Sequence, residues 1–301
     1  MAERDVRIYE VGPRDGLQNE KAPISTEAKL RFIGLLADAG LREIEATSFV
    51  SPQAISQLAD ADTLMANLER RPGVRYPVLV PNERGLARAE AADADAVCVF
   101  TAASEAFTRA NINMTIAESI DAFRPVTDAA HQRGWWSRGY VSTAFGCPYQ
   151  GEVGEAAVVG VAQQLLELGV DELSIGDTIG VAGPADVRRV VRALLGAGIA
   201  PEQLAMHFHD TRGTALANVS TALELGIRCF DASTGGTGGC PYAPGAAGNL
   251  ASEDLIYLLE REGLSHGVDL DALLVAARDV SESLGRPLAT KVGRAGGWRV
   301  P

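Results

Sequence analysis

Short apolar or β-branched runs alternate with longer stretches of helical spacing, and the alternation repeats about eight times along the chain of 301 residues. The runs predict strands at 6–11, 43–49, 76–80, 96–101, 136–143, 172–176, 204–209 and 229–233. Between them the spacing predicts helices. In 25–39, Ser25 or Thr26 can cap, Leu30, Ile33, Leu36 and Ala37 share one face, and Gly40 closes the end. Similar stretches occupy 155–168, 184–195, 214–225 and 252–262. Strands joined by helical crossovers imply a parallel sheet, either open or closed into a barrel. The count favours closure. An open sheet would more often show a Gly-rich phosphate turn after its first strand, and that strand here runs into Gly12-Pro13-Arg14-Asp15. The expectation is an α/β fold, a single (β/α)8 TIM barrel over 1–301, with 269–301 as a short C-terminal helical extension. That extension holds a helix-like stretch at 270–284 and a basic tail (Arg286, Lys291, Arg294, Arg299) in which Gly296-Gly297 marks a flexible end.

Composition narrows the function. With 47% apolar and 22% charged residues the chain can bury a large core. A net charge of -12 argues against nucleic acid and against anionic membranes as partners, because both draw affinity from positive charge. No stretch has the apolar length of a membrane span, and residues 1–10 lack the apolar run of a secretory signal. Cys98, Cys147, Cys229 and Cys240 contain no C-x-x-C pair, which fits a reducing cytoplasm better than a disulfide framework; Cys98 and Cys229, inside predicted strands, read as core filling.

The sharpest chemical feature is His207-Phe208-His209, at the end of a predicted strand. Residues two apart on a strand share a face with Cα atoms roughly 6.6 Å apart, close enough for two imidazoles to converge on one metal ion. Two packed strand histidines are the structural alternative. Glycine and proline break the first strand and present Arg14 and Asp15 at its C-terminal end, where barrel enzymes place their sites; a solvated turn is the plain alternative. If Asp15 meets the histidines across the mouth, that set plus a neutral oxygen suits magnesium or manganese better than structural zinc. Residues 234–249 carry six glycines in sixteen positions around Cys240 and match no nucleotide-binding loop. Glu45 and Asp177 fall at comparable positions along strand-like runs and could orient ligands or relay protons; each could equally be a helix N-cap or a salt bridge to a second strand.

The strings VGPRDGLQNE, EATSFVSP, GCPYQG, GDTIGV, HFHDTRGTALAN and GGCPYAPGAAGNL together resemble the 3-hydroxy-3-methylglutaryl-CoA lyase family, over residues 11 to about 267. The resemblance implies a barrel lyase with one divalent cation, Mg2+ or Mn2+, held by Asp15, His207, His209 and Asn249. It places Arg14 beside the ion, Cys240 on a mobile loop, and Glu45 and Asp177 lining the site. The implied reaction is cleavage of (S)-3-hydroxy-3-methylglutaryl-CoA to acetyl-CoA and acetoacetate, as in leucine degradation and ketone-body formation. Arg14 is expected to stabilise the enolate and Cys240 to protonate it. His207 is the leading base candidate, assisted by Asp177 or Glu45. Ser48 joins Arg14 among the expected substrate contacts, and Lys21, Arg138 and Lys291 are the candidates for the CoA phosphates.

The chain departs from the family pattern in carrying Thr237 where leucine is common between the glycine pairs. No cysteine follows Cys240, and the start resembles bacterial, cytoplasmic members. A homodimer or higher homo-oligomer is expected. Three other readings stay open: the same chemistry on citramalyl-CoA or an isoprenoid analogue, a condensing enzyme of the isopropylmalate or homocitrate synthase type, and a non-catalytic metal- or acyl-CoA-binding barrel.

Overall fold

A computed structural model describes residues 4–239 and 248–297. Nine parallel strands form one sheet: β1 (Arg7–Glu10), β2 (Glu43–Ile44), β3 (Thr47–Ser48), β4 (Val78–Leu79), β5 (Ala96–Ala102), β6 (Trp136–Ser142), β7 (Glu172–Asp177), β8 (Leu204–Phe208) and β9 (Cys229–Ala232). Their order is β2-β1-β9-β8-β7-β6-β5-β4-β3. The two edges belong to one stretch of chain. The run predicted as a single strand at 43–49 pairs first with β1 and then with β4, and the changeover falls at Glu45, whose N–H donates to Glu10, and Ala46, whose N–H donates to Pro77, each at 2.9 Å. The sheet therefore closes on itself, and the eight predicted runs are the eight staves of a TIM-type barrel.

The helices follow from local signals. Helix Thr26–Asp38 starts where Ser25 accepts the Ala28 N–H at 3.2 Å, and Phe32, Ile33, Leu36 and Ala37 face the sheet. Gly40 then reverses the chain at φ 102°, beside the Gly267 carbonyl, a conformation and a fit that exclude a side chain. Helices Ala61–Asn67, Glu83–Ala91, Glu105–Ile112 and Ile116–Arg133, absent from the sequence prediction, fill the crossovers between 61 and 133. The tail is more ordered than its glycines suggest. After helix Leu270–Leu284 a short helix, Lys291–Ala295, docks because the buried Asp254 carboxylate accepts from Thr290 Oγ1 and from the Lys291 and Val292 N–H groups.

Apolar side chains between sheet and helices form the main core. The barrel interior is different: Tyr9, Val11, Leu79, Cys98, Tyr140, Ala205 and Cys229 surround a guanidinium that has no access to solvent, that of Arg138. Arg138 lies 3.8 Å from the Tyr9 ring centroid and pairs with Glu172 at 3.0 Å and Asp231 at 2.6 Å. Its proposed contact with CoA phosphates is therefore corrected. Being near the N-terminal end of β6 and pointing inward, Arg138 sits below the mouth as the counter-charge of two buried acids. Cys98 and Cys229 fill this interior as expected, and Cys98, Cys147 and Cys229 are all free and buried. Among the described residues no helix is long and apolar enough to cross a membrane.

Candidate active site at the barrel mouth

Two strand ends build the cluster, and Asn249 joins them from the chain beyond β9. β8 carries His207 and the chain just beyond it His209, both turned inward, and the turn after β1 carries Arg14 and Asp15. One donor atom each from Asp15, His207 and His209 falls within 4.8 Å of the others. The two Nε2 atoms stand 3.1 Å apart, so the rings converge on one point. Asn249 completes the group. Its amide nitrogen donates to Asp15 Oδ2 at 2.8 Å and to the Thr237 carbonyl at 3.0 Å, while its Oδ1 is buried with no hydrogen-bond partner. An orphaned amide oxygen beside two facing imidazole nitrogens and a carboxylate is what a divalent cation would satisfy, so the residues fit a metal centre. Burial pushes the His209 pKa down to about 4, His207 adds to this and Asp15 opposes it, which leaves a neutral imidazole with a lone pair to share. For Asp15 burial acts upward, but Arg14 and the histidines outweigh it and bring the pKa to about 2.

Arg14 binds two acids in different directions. One nitrogen meets Asp15 and the other Glu45, both at 2.8 Å, and the guanidinium lies 5.3 Å from the Tyr140 ring centroid. Burial alone would lower its pKa, yet Glu45 and Asp15 carry it well above the ordinary value. Glu45 is fully buried, which raises its pKa against the pull of Arg14. Its Oε2 also accepts from Tyr140 at 2.9 Å, and its Oε1 has no partner. Asp177 is spent otherwise: its two oxygens accept the Val181 and Ala182 N–H groups at 2.9 and 3.0 Å, the cap-like role that was its alternative. His207 also has both ring nitrogens facing partners, Asp231 on Nδ1 and His209 on Nε2.

The remaining candidates scatter. Ser48 is buried near the mouth, its hydroxyl against Leu79 and Val50 backbone. Lys291 is exposed but tied to Asp210 and, at 3.6 Å, to Asp254. Lys21 is exposed. Cys240 lies outside the described residues. The loop leading toward it is described as far as Gly239, whose carbonyl accepts from Asn19 at 2.9 Å. The Thr237 hydroxyl is taken up inside the loop, 2.6 Å from Ser233 Oγ. Tyr140 and Asp231 were not singled out from the sequence. Tyr140 follows Arg138 by two residues and Asp231 follows Cys229 by two, so inward alternation was the signal available.

Beneath the glycine loop the buried Glu253 accepts the Gly235 N–H on both oxygens, at 3.0 and 2.9 Å, and burial drives its pKa up to about 8. A folded pKa above the unfolded value of about 4.3 means that its stabilising contribution is complete below that value and is lost as pH rises through about 8. The urea midpoint of the parent should therefore fall between pH 5 and 8 relative to Glu253→Gln, whose amide cannot ionise. Parallel midpoints across that range would remove the assignment.

A family model described as HMGL-like matches residues 5–280. A hydroxymethylglutaryl-CoA lyase of Bacillus subtilis is 48% identical over 288 residues, covering 96% of each chain. The crystal structure of a Bacillus subtilis HMG-CoA lyase superposes with a TM-score of 0.95 at 47% identity, over 97% of this chain and 98% of that one. An HMG-CoA lyase from Acinetobacter baumannii, solved with coenzyme A and 3-methylmalate, gives 0.93 at 38% identity over the whole of both chains.

Proposed function

The chain belongs to the HMGL-like family, and from that premise we infer that it is a carbon-carbon lyase cleaving 3-hydroxy-3-methylglutaryl-CoA to acetyl-CoA and acetoacetate. The observation that carries the reading is the meeting of Arg14, Asp15, His207 and His209 at one barrel mouth. An assay of the purified protein with saturating magnesium or manganese tests it, read as acetoacetate formed. No acetoacetate sinks it.

Asp15, His207, His209 and the Asn249 oxygen hold the cation in this reading, and one carboxylate, one amide and two imidazoles suit magnesium or manganese. When bound there, such an ion polarises the tertiary hydroxyl of the substrate and makes its proton easier to remove. Glu45 takes that proton. It is the base candidate with an oxygen free of hydrogen bonds, and burial raises its affinity for a proton, whereas Asp177 and His207 are occupied on both sides. As the carbon-carbon bond breaks, its electron pair passes to the thioester as an enolate. Arg14 stabilises the charge developing on the thioester oxygen.

The enolate carbon must then gain a proton, and the Cys240 thiol supplies it; with a reference pKa of about 8.5, a thiol is mostly protonated at neutral pH. The hydroxyl proton ends on Glu45 and the thiol proton on the new methyl group. Cys240→Ser is expected to keep metal affinity and to lose turnover by about 100-fold or more, because a hydroxyl is a far weaker acid. Turnover equal to the parent would remove the cysteine from the mechanism. Lys21 is the candidate left for the CoA phosphates, since Lys291 is already engaged by two carboxylates. A cytoplasmic setting is supported by the three free thiols among the described residues.

A further inference from the structure

Of the described buried carboxylates in the barrel interior that the proposed mechanism does not use, Asp231 is the one that touches the cation cluster. Asp231, on β9, stands opposite His207 of β8 in the sheet register, and both side chains turn inward. Its Oδ2 lies 3.1 Å from His207 Nδ1 and accepts from Ser174 Oγ at 2.8 Å. Its Oδ1 accepts from Arg138 at 2.6 Å. Every group around Asp231 is therefore a donor or must act as one. A guanidinium donating to one oxygen and a hydroxyl to the other is the environment of an ionised carboxylate.

We propose that Asp231, held in place by Arg138 and Ser174, is a positioning residue that fixes the tautomer and ring orientation of His207 and so makes its Nε2 a metal ligand. An ionised carboxylate can only accept, so the proton of a neutral His207 must sit on Nδ1. The lone pair then lies on Nε2, the atom that faces His209 and the cation cluster. The carboxylate also makes the imidazole a stronger donor to a cation. Arg138, which the sequence suggested for phosphate binding, serves instead to neutralise the interior: Glu172 also pairs with Arg7, but without Arg138 the Asp231 carboxylate would have no permanent counter-charge where it is shut away from solvent. This inference rests on the metal-centre reading of the mouth.

Asp231→Asn is the informative change because it keeps the shape. Arg138 only donates, so it retains the new amide's oxygen, and the amide NH2 turns toward His207. His207 Nδ1 must then accept, which moves the ring proton to Nε2 and blocks the metal-binding lone pair. Two measurements test this on the full chain without its metal: nitrogen NMR of histidine-labelled protein, in which only four histidines contribute, and titration with Mn2+ alone. The expected results are an Nδ1–H tautomer of His207 in the parent, an Nε2–H tautomer in the variant, and Mn2+ affinity lowered by about 10- to 100-fold. A parent that binds Mn2+ but carries the His207 proton on Nε2 overturns the inference, and that result stands even where the variant does not fold. A folded variant with the parent's affinity overturns it too. A parent that binds no Mn2+ overturns the metal-centre reading and this inference with it.

Discussion

Arg14→Gln should lower kcat by about 100- to 1,000-fold, the usual cost of removing a donor aimed at charge that develops in a transition state. The guanidinium is nearly solvent-free and already oriented, with Asp15 on one nitrogen and Glu45 on the other. It need not reorganise when the thioester oxygen becomes an enolate. The substitution also acts on the base: without the adjacent cation the buried Glu45 keeps only the Tyr140 hydrogen bond against the upward pull of burial on its pKa. Activity of Arg14→Gln should therefore recover partly as pH rises, since more of Glu45 is then ionised and able to accept a proton. Arg14→Lys separates charge from geometry, because an ammonium cannot reach two carboxylates in the directions that a planar fork does. Its kcat should fall between those of Arg14→Gln and the parent. A kcat for Arg14→Gln within threefold of the parent would exclude Arg14 from the chemistry.

Asp15→Asn should weaken Mn2+ binding by roughly 100-fold or more, since the ion loses its charged ligand and, by rearrangement, a neutral one. Asn249 keeps its oxygen unpartnered because its NH2 is drawn to Asp15 Oδ2 and the Thr237 carbonyl. An amide at position 15 sets NH2 against NH2, or turns one of the two around, and the Asn249 oxygen loses its aim. Titration of the metal-free protein with Mn2+ measures the effect. Turnover should return in part at high Mn2+, which distinguishes a weakened site from a broken fold. Affinity equal to the parent would show that Asp15 is no ligand and would leave the histidine pair and Asn249 at the mouth.

Much of this was legible along the chain because it is local. The eight runs, the Ser25 cap and the His207-x-His209 spacing depend on neighbours within a few residues, where the helical and strand periods act directly. The helices between 61 and 133 were local as well: three of them are of nine residues or fewer, with brief apolar stripes, whereas the 18-residue helix Ile116–Arg133 has a proline inside it and small or polar residues among its buried positions.

What the chain alone determined is which side chains stand at the ends of parallel strands, since a strand's alternation and its breaking residues are written in consecutive positions. What only the tertiary structure decided is which of them meet, and at what depth. The closure through Glu45 and Ala46, the burial of Arg138 below the mouth, and the contact of Asp231 with His207 all follow from the register of strands far apart in sequence. Register is fixed by the packing of the whole barrel, so no local pattern carries it.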